Sequence, residues 1–182
     1  MAGEKPPEPW HSFLQELDQQ LTGETRLHCL GGFVITVCYG LTRPTSDVDF
    51  LSSIHSNHVL TLGQEGTALH RKYGVYLQAV SEPTLPENYG DRVVEMFPSI
   101  YGNLRLFALD PYDLALSKLE RNRERDRDDI KYLATHVPLV PEKLMARYKE
   151  EMRPYLSQEA KHDLTVQLWV QMIQEVRASR NI

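Results

Sequence analysis

Three features that mark specialised classes of protein are scarce or absent in this sequence. It contains only two cysteines, Cys29 and Cys38, and both lie in apolar segments, where a free thiol usually packs as a small hydrophobic group. A disulfide framework is therefore not expected. No apolar run approaches the roughly 20 residues that span a bilayer, and the N-terminal residues lack the apolar segment of a signal peptide. We expect a soluble, cytoplasmic protein with no membrane partner.

Positive charge is not in excess either. The 20 lysines and arginines are outnumbered by 25 aspartates and glutamates, which gives a formal net charge of -5. This balance argues against a generally electropositive nucleic-acid-binding surface, although it allows a local basic cleft. With 182 residues, of which 41% are hydrophobic, the chain can bury one substantial core and carry a small helical unit beside it.

Apolar spacing and turn residues predict an α/β architecture. Helical periodicity begins at Trp10 and ends at Thr22-Gly23. Asp110 can cap a helix whose first residue is Pro111, and that helix is predicted to continue to residue 136. Short segments rich in β-branched and aromatic residues predict strands at 27–30, from about 47, at 73–80 and at 104–109. The predicted organisation is a flexible leader at 1–9, an α/β domain at 10–136, and a C-terminal helical extension packed on it at 137–182.

The C-terminal extension is predicted to contain two helices, of which the last runs from Ser157 to about Arg177. Its apolar residues recur at helical spacing and predict a buried stripe. The stripe comprises Leu164, Leu168, Trp169, Met172, Ile173 and Val176.

The chemically most informative stretch is GGFVITVCYGLTRPTSDVDFL, residues 31–51. Because successive strand residues point to opposite faces, Asp47 and Asp49 are predicted to project to one side, about 6 to 7 Å apart. Carboxylates that close repel each other unless a cation lies between them, and such ligands suit Mg²⁺ or Mn²⁺ carrying substrate phosphates. Gly31 and Gly32 would let backbone N–H groups approach those phosphates at a helix N-terminus. Arg43 is placed to meet a phosphate as well.

These residues carry a resemblance. Gly31-Gly32, Tyr39-Gly40, Arg43, Thr45 and Asp47-Val48-Asp49-Phe50 resemble the signature of the nucleotidyltransferase-fold superfamily. The resemblance implies a nucleotidyltransferase-like small mixed sheet flanked by helices, with a helical C-terminal portion. It also implies that Asp47 and Asp49 bind the metal and act in catalysis, and that the glycines, Arg43 and Thr45 bind nucleotide.

A second motif lies downstream. Lys118, Arg121, Arg125-Asp126 and Asp129-Ile130 resemble the branch that contains the AbiEii-type and type IV toxin–antitoxin nucleotidyltransferases. By this resemblance, Lys118 contacts the triphosphate, while Arg125, Asp126 and Asp129 position the nucleotide or buttress the lysine. On one continuous helix Lys118, Arg121, Arg125, Asp129 and Tyr132 would lie near one face. The alternative for such a charged segment is a solvated helix with ion pairs between its own turns.

The implied activity is transfer of a nucleoside monophosphate from an NTP to an acceptor hydroxyl, with release of pyrophosphate. The implied acceptor is an RNA 3′ end such as that of tRNA, and the implied partner is an antitoxin protein. A small-molecule acceptor, as in antibiotic-modifying nucleotidyltransferases, is a further alternative that shares the first motif.

One expected residue is missing from the pattern. Active members of the superfamily generally add a third carboxylate on a neighbouring strand, where it completes the metal site and can act as a base. The strand at 73–80 offers Gln78 at that place, and the other candidates are Glu82 and Glu95. The sequence therefore leaves open a catalytically impaired module that binds a nucleotide or a protein partner.

Overall fold

The computed structural model describes residues 5–51, 56–81 and 83–180. The chain forms two compact units. The first comprises Met1–Pro83 and Val93–Leu109, and the second comprises Thr84–Arg92 and Asp110–Ile182. Residues 1–4 of the predicted leader lie outside the described residues.

The described residues of the first unit form a mixed five-stranded sheet. Its strands, in chain order, are β1 Thr25–Cys29, β2 Asp47–Leu51, β3 Tyr76–Val80, β4 Val94–Met96 and β5 Leu104–Ala108. They lie in the order β3-β2-β1-β5-β4. The pairs β1–β5 and β2–β3 are parallel, whereas β1–β2 and β4–β5 are antiparallel. The helices of this unit are α1 Trp10–Gln20, α2 Gly31–Tyr39, α3 Ser56–Gly63 and α4 Ala68–Tyr73.

The two faces of this sheet differ in polarity. On β2, Val48 and Phe50 are completely buried, whereas Asp47 and Asp49 are only half-buried. The apolar face continues onto the neighbouring strands, because Cys29 lies opposite Phe50 in the β1–β2 pair and is also buried. The sheet therefore has one core face and one polar face.

Helix α2 starts with the diglycine itself. Gly31 and Gly32 are its first two residues, and extended Leu30 is the N-cap. Gly40 ends the helix in the left-handed conformation, with φ of 77°.

The second unit contains four α-helices among its described residues: α5 Pro111–Leu116, α6 Glu124–His136, α7 Pro141–Arg147 and α8 Glu159–Arg180. The start of α5 is as predicted, since the Asp110 side chain accepts hydrogen bonds from the N–H groups of Tyr112 and Asp113. Together with the five-stranded sheet, this helical portion confirms the predicted fold class.

The prediction of one continuous helix from Pro111 to residue 136 is wrong. The chain leaves helical geometry after α5, and Asn122 adopts a positive φ of 41°, which asparagine tolerates better than most residues. A new helix then starts because the carboxylate of Asp126 accepts a hydrogen bond of 2.9 Å from the Arg123 N–H. Lys118 and Arg125 therefore do not share one helical face.

Helix α7 continues into a π-helical turn, Tyr148–Met152, and α8 follows after a short 3₁₀ turn. The Arg153 guanidinium and the Tyr148 hydroxyl donate hydrogen bonds to Asp163, and these bonds hold the pKa of Asp163 at about 2. In the part of the chain that the structure describes, no helix is both long and apolar enough to cross a membrane.

The predicted buried stripe of α8 is wrong at two positions. Leu164 and Leu168 are exposed by 57% and 56%. The buried face lies on a different side of the helix and includes the polar residues His162 and Thr165. An apolar pattern does not identify a face that contains polar residues. The buried α8 residues are His162, Thr165, Val166, Trp169 and Ile173.

A cluster of buried ion pairs joins the two segments of the second unit. Arg92 forms a two-pronged ion pair with Asp113, at 2.9 and 3.0 Å, and also binds Glu151 at 2.8 Å. Arg147 also donates to Asp113, at 2.9 Å, and to Asp110, at 2.6 Å. Because Asp113 is fully buried, removal of either arginine would weaken the compensation of a buried charge.

Candidate functional site

The carboxylates of Asp47 and Asp49 lie on the polar face of the sheet, with the completely buried Val48 between them pointing the other way. Thr45, in the loop before β2, donates a hydrogen bond of 2.5 Å from its hydroxyl to the Asp47 carboxylate. This bond fixes one carboxylate oxygen of Asp47. The alternation predicted from the sequence is therefore present, and Thr45 orients one of the two acids.

Gly31 lies directly against Asp49, and Gly32 lies against Thr45. The Leu30 N–H donates to the backbone carbonyl of Asp49 at 3.0 Å, which brings the start of α2 beside the strand. A Cβ atom on Gly31 would stand 2.1 Å from Oδ2 of Asp49, and a Cβ atom on Gly32 would stand 3.2 Å from Oγ1 of Thr45. With φ of 72°, Gly31 also has a backbone conformation that other residues rarely adopt.

The close approach of the α2 N-terminus to Asp49 has an electrostatic consequence. The unpaired N–H groups of the first helical turn carry partial positive charge, which favours an anion at this position. The carboxylate of Asp49 lies against that turn of α2. The same turn suits the phosphate groups that the glycines were predicted to bind.

The neighbouring strand carries no acid at the matching position. In the parallel β2–β3 pair, Asp47 lies opposite Tyr76 and Asp49 lies opposite Gln78. Residues paired in this way point to the same face, so the side chain beside Asp49 is an exposed amide. Partial burial and the negative charges of Asp47, Glu65 and Asp49 raise the pKa of Tyr76.

The other candidates for a third acidic ligand do not fill this gap. Glu82 lies outside the described residues. Glu95 is on β4, at the opposite edge of the sheet. Three strand-to-strand steps of about 4.8 Å put β4 roughly 14 Å from β2, and Glu95 pairs with Arg105 at 3.3 Å.

The residues fit a magnesium ion held jointly with a phosphate substrate. Magnesium typically takes one or two protein carboxylates, substrate phosphates and water, and Asp47 and Asp49 provide two carboxylates on one face. Across the described ranges, no group of three or more His, Cys, Asp or Glu side chains has a metal-binding arrangement. A metal ion at Asp47 and Asp49 would therefore need further ligands from a phosphate substrate or from water.

The downstream motif forms a separate buried cluster in the second unit. Lys118 is 3% exposed, and its ammonium donates to Asp129 at 2.9 Å and lies 3.6 Å from Asp126. Arg121 donates to both oxygens of Asp126, at 2.9 and 2.5 Å. Burial raises the pKa of Asp126, but the Arg121 and Arg123 hydrogen bonds and the Lys118 charge outweigh it and hold that pKa below its ordinary value.

The structure thus brings the predicted site residues together in two groups. Gly31, Gly32, Thr45, Asp47 and Asp49 are neighbours in the first unit. In the second unit, the Lys118 ammonium lies beside Asp126 and Asp129. Arg43 is half-buried in the loop before β2, and Arg125 is exposed on α6.

Sequence reasoning missed an aromatic pair at the rim of the first group. The His70 ring lies 5.1 Å from the Tyr76 ring in an edge-to-face arrangement, and its Nδ1 accepts a hydrogen bond of 2.9 Å from the Gly66 N–H. This acceptor role assigns the proton of neutral His70 to Nε2. Finding this pair from the sequence would have required the register between β2 and β3, which puts Tyr76 opposite Asp47. The sequence pattern does not determine that register.

A mixed sheet in which a helix starting with glycine packs against an Asp-x-Asp strand is the arrangement of a nucleotidyltransferase-like fold. The sequence matches, over residues 11–177, the model of a family described as a nucleotidyltransferase of unknown function (DUF6036). The chain belongs to this family. No curated protein and no solved structure matches it. The match supports the superfamily that the sequence resembles and does not distinguish the AbiEii-type branch.

Proposed function

We propose that the protein is a metal-dependent nucleotidyltransferase, which moves a nucleoside monophosphate from an NTP to an acceptor hydroxyl. The observation that carries the proposal is the contact between the start of α2 and Asp49, where a Cβ atom on Gly31 would overlap the carboxylate. The contact supports the proposal because a helix N-terminus suits phosphate and a pair of carboxylates suits a divalent metal. Such an arrangement serves a substrate that has both a metal and a triphosphate.

In this proposal, Asp47 and Asp49 hold Mg²⁺ or Mn²⁺, with Thr45 orienting Asp47. The metal supplies charge neutralisation of the triphosphate during in-line displacement. The N–H groups of Gly31 and Gly32 bind phosphate oxygens, and Arg43 adds positive charge. The acceptor oxygen forms a bond to the α-phosphorus while the bond to the bridging oxygen breaks, and pyrophosphate leaves.

Lys118 has a positioning role in this proposal rather than direct contact with the triphosphate. Its ammonium is buried and already paired with Asp129 and Asp126. These ion pairs hold the Lys118 ammonium in one position and connect the end of α5 to the start of α6. Arg125, which is exposed on α6, is the member of the downstream motif that can contact a nucleotide without first breaking a buried pair.

The second candidate function is a nucleotide-binding module without transfer activity, and the register of β3 favours it. Gln78 lies opposite Asp49, and an amide can donate hydrogen bonds or offer its carbonyl oxygen but cannot take a proton from an acceptor hydroxyl. If the proposed transferase is active, that proton passes to water or to a carboxylate of β2.

One set of measurements separates the two candidates. Labelled NTPs, one at a time, are incubated with Mg²⁺, total tRNA and the protein, and both NTP binding and transfer of label are measured. The transferase predicts Mg²⁺-dependent transfer that Asp47→Asn and Asp49→Asn abolish, while Asp128→Asn, an exposed acid on α6, does not. Binding that needs Asp49, without any transfer, supports the binding module. Absence of both binding and transfer contradicts both candidates.

Gln78 itself provides a further test of the same site. Gln78→Glu adds a carboxylate beside Asp49, at the place where a third acid completes such sites. For a binding module, the substitution is expected to tighten Mg²⁺ binding and to produce measurable transfer. If it lowers binding instead, Gln78 contacts the nucleotide through its amide.

The RNA acceptor and the toxin role rest on the resemblance of the downstream motif. They predict that label is transferred to the tRNA 3′ end and that periodate oxidation of that end prevents transfer. They also predict that induced expression arrests growth in a way that depends on Asp49. Transfer to an aminoglycoside but not to RNA would support the small-molecule acceptor.

A further inference from the structure

Helix α8 has a second apolar surface that its own unit does not cover. One side of the helix is buried through Val166, Trp169 and Ile173. Leu164 and Leu168 lie one turn apart on a different side, and more than half of each side chain is exposed. Two large aliphatic side chains adjacent on one helix form a surface that a partner helix can bury.

The exposed side of α8 has the spacing of a helix–helix seam. Five exposed residues follow one another at intervals of three, four, three and four: Lys161, Leu164, Leu168, Gln171 and Glu175. This is the heptad spacing that keeps a stripe facing a partner helix. From its first to its last residue, the seam is about 21 Å long at 1.5 Å per residue.

The charges of the seam are arranged to match a second copy of itself. Lys161 lies seven residues before Leu168, and Glu175 lies seven residues after it. In an antiparallel pair of α8 helices, the lysine of each copy approaches the glutamate of the other, whereas a parallel pair would oppose like charges. The nearby Asp163 is neutralised within its own chain by Arg153, so it adds little charge to this pattern.

We propose that a second copy of this chain covers the seam, with the two α8 helices antiparallel and a two-fold axis close to Leu168. Such an interface is isologous, since each copy contributes the same surface. Beside the leucines, Asp163 and Gln167 line a cleft of about 450 Å³ together with Met145, Tyr148, Lys149 and Arg153. The surface is therefore concave next to the seam and can receive side chains from the partner.

The size of the seam sets the expected strength of the dimer. Stable complexes bury about 800 Å² on each partner, and one helix face about 21 Å long provides well under that area. Because the seam is smaller than a stable interface, we expect a weak dimer with a dissociation constant of about 10 μM. Sedimentation equilibrium of the full chain between about 1 and 200 μM covers concentrations on both sides of this value.

Substitution in the seam tests the interface directly. Leu168→Glu is expected to raise the dimer dissociation constant at least tenfold, because it puts two like charges at the two-fold axis. Leu168 is largely exposed, so this change should leave the fold intact, which circular dichroism can verify. The matched control is Val94→Glu, which replaces an apolar side chain of similar exposure, 64%, outside α8.

Charge exchange tests the antiparallel orientation. Lys161→Glu and Glu175→Lys are each expected to weaken the dimer, and the double variant is expected to restore it. Within one helix the two charges are about 21 Å apart, which exceeds the screening length of about 8 Å at physiological salt, so restoration can arise only between copies. A chain that stays monomeric at 200 μM, or a dimer that Leu168→Glu leaves intact, overturns the proposal. Failure of the double variant to restore association overturns the antiparallel arrangement.

Discussion

The contact between Gly31 and Asp49 leads to a quantitative prediction for Gly31→Ala. The new Cβ atom would stand 2.1 Å from Oδ2 of Asp49, so the carboxylate must withdraw by about 1 Å to restore an ordinary non-bonded contact. Forcing alanine into the left-handed conformation costs about 1–2 kcal/mol. The overpacking adds about 1–3 kcal/mol. The expected total loss of unfolding free energy is therefore about 2–5 kcal/mol.

Gly74 provides a matched control in the same unit. It has the same φ of 72°, but a Cβ atom there would meet nothing within 4 Å. Gly74→Ala therefore carries only the conformational cost of about 1–2 kcal/mol. Urea unfolding of both variants, followed by circular dichroism, isolates the contact with Asp49 as the difference between them.

A double-mutant cycle identifies the partner of the added methyl group. In an Asp49→Ala background the carboxylate is gone and only the Cβ atom of residue 49 stays close, at 3.1 Å, so the cost of Gly31→Ala should fall most of the way to that of Gly74→Ala. If Gly31→Ala is no more destabilising than Gly74→Ala in the wild-type background, the close approach of α2 to β2 is refuted. If the proposed transferase is active, a displacement of about 1 Å is also expected to lower transfer about 100-fold.

Further predictions concern the second unit. Lys118→Met should destabilise the protein by about 3–5 kcal/mol because it removes the buried ammonium that Asp129 accepts from and that lies beside Asp126, which keeps Arg121. Arg125→Ala, on the exposed side of α6, should change the unfolding free energy by less than about 0.5 kcal/mol; equal effects in urea unfolding would contradict the buried cluster. Asp163 has a pKa of about 2 in the folded chain against an ordinary value of 3.8, so its contribution to stability is complete above about pH 4 and is lost as pH falls toward 2. The difference in urea midpoint between wild type and Asp163→Asn should accordingly shrink between pH 6 and pH 2.5, and a difference that is the same at both pH values would show that Asp163 is not held by these bonds.

The sequence predicted those parts of the site that depend on local rules. Alternation along a strand put Asp47 and Asp49 on one face, and the capping chemistry of Asp110 located the start of α5. Both outcomes are determined within a few residues of chain. The fold class could be predicted for the same reason, since it follows from the type and order of such local elements.

The errors occurred where distant partners or a single backbone angle decide the structure. The break at Asn122 depends on one residue with positive φ and on a cap supplied by Asp126, inside a charged segment that otherwise favours helix. The exposure of Leu164 and Leu168 depends on which side of α8 meets the rest of its unit. A helix with apolar residues on two sides does not indicate from its own sequence which side is buried.

The ion pairs of Arg92 have a consequence for how the polypeptide can be divided. The chain passes from one compact unit to the other three times, after Pro83, after Arg92 and after Leu109. A fragment that starts at residue 110 would lack Arg92 and leave Asp113 and Glu151 without one of their cations, while a fragment that ends at residue 109 would carry Arg92 without its partners. No single cut in the polypeptide therefore yields both units whole, because every such cut leaves at least one of the two without a segment of its own.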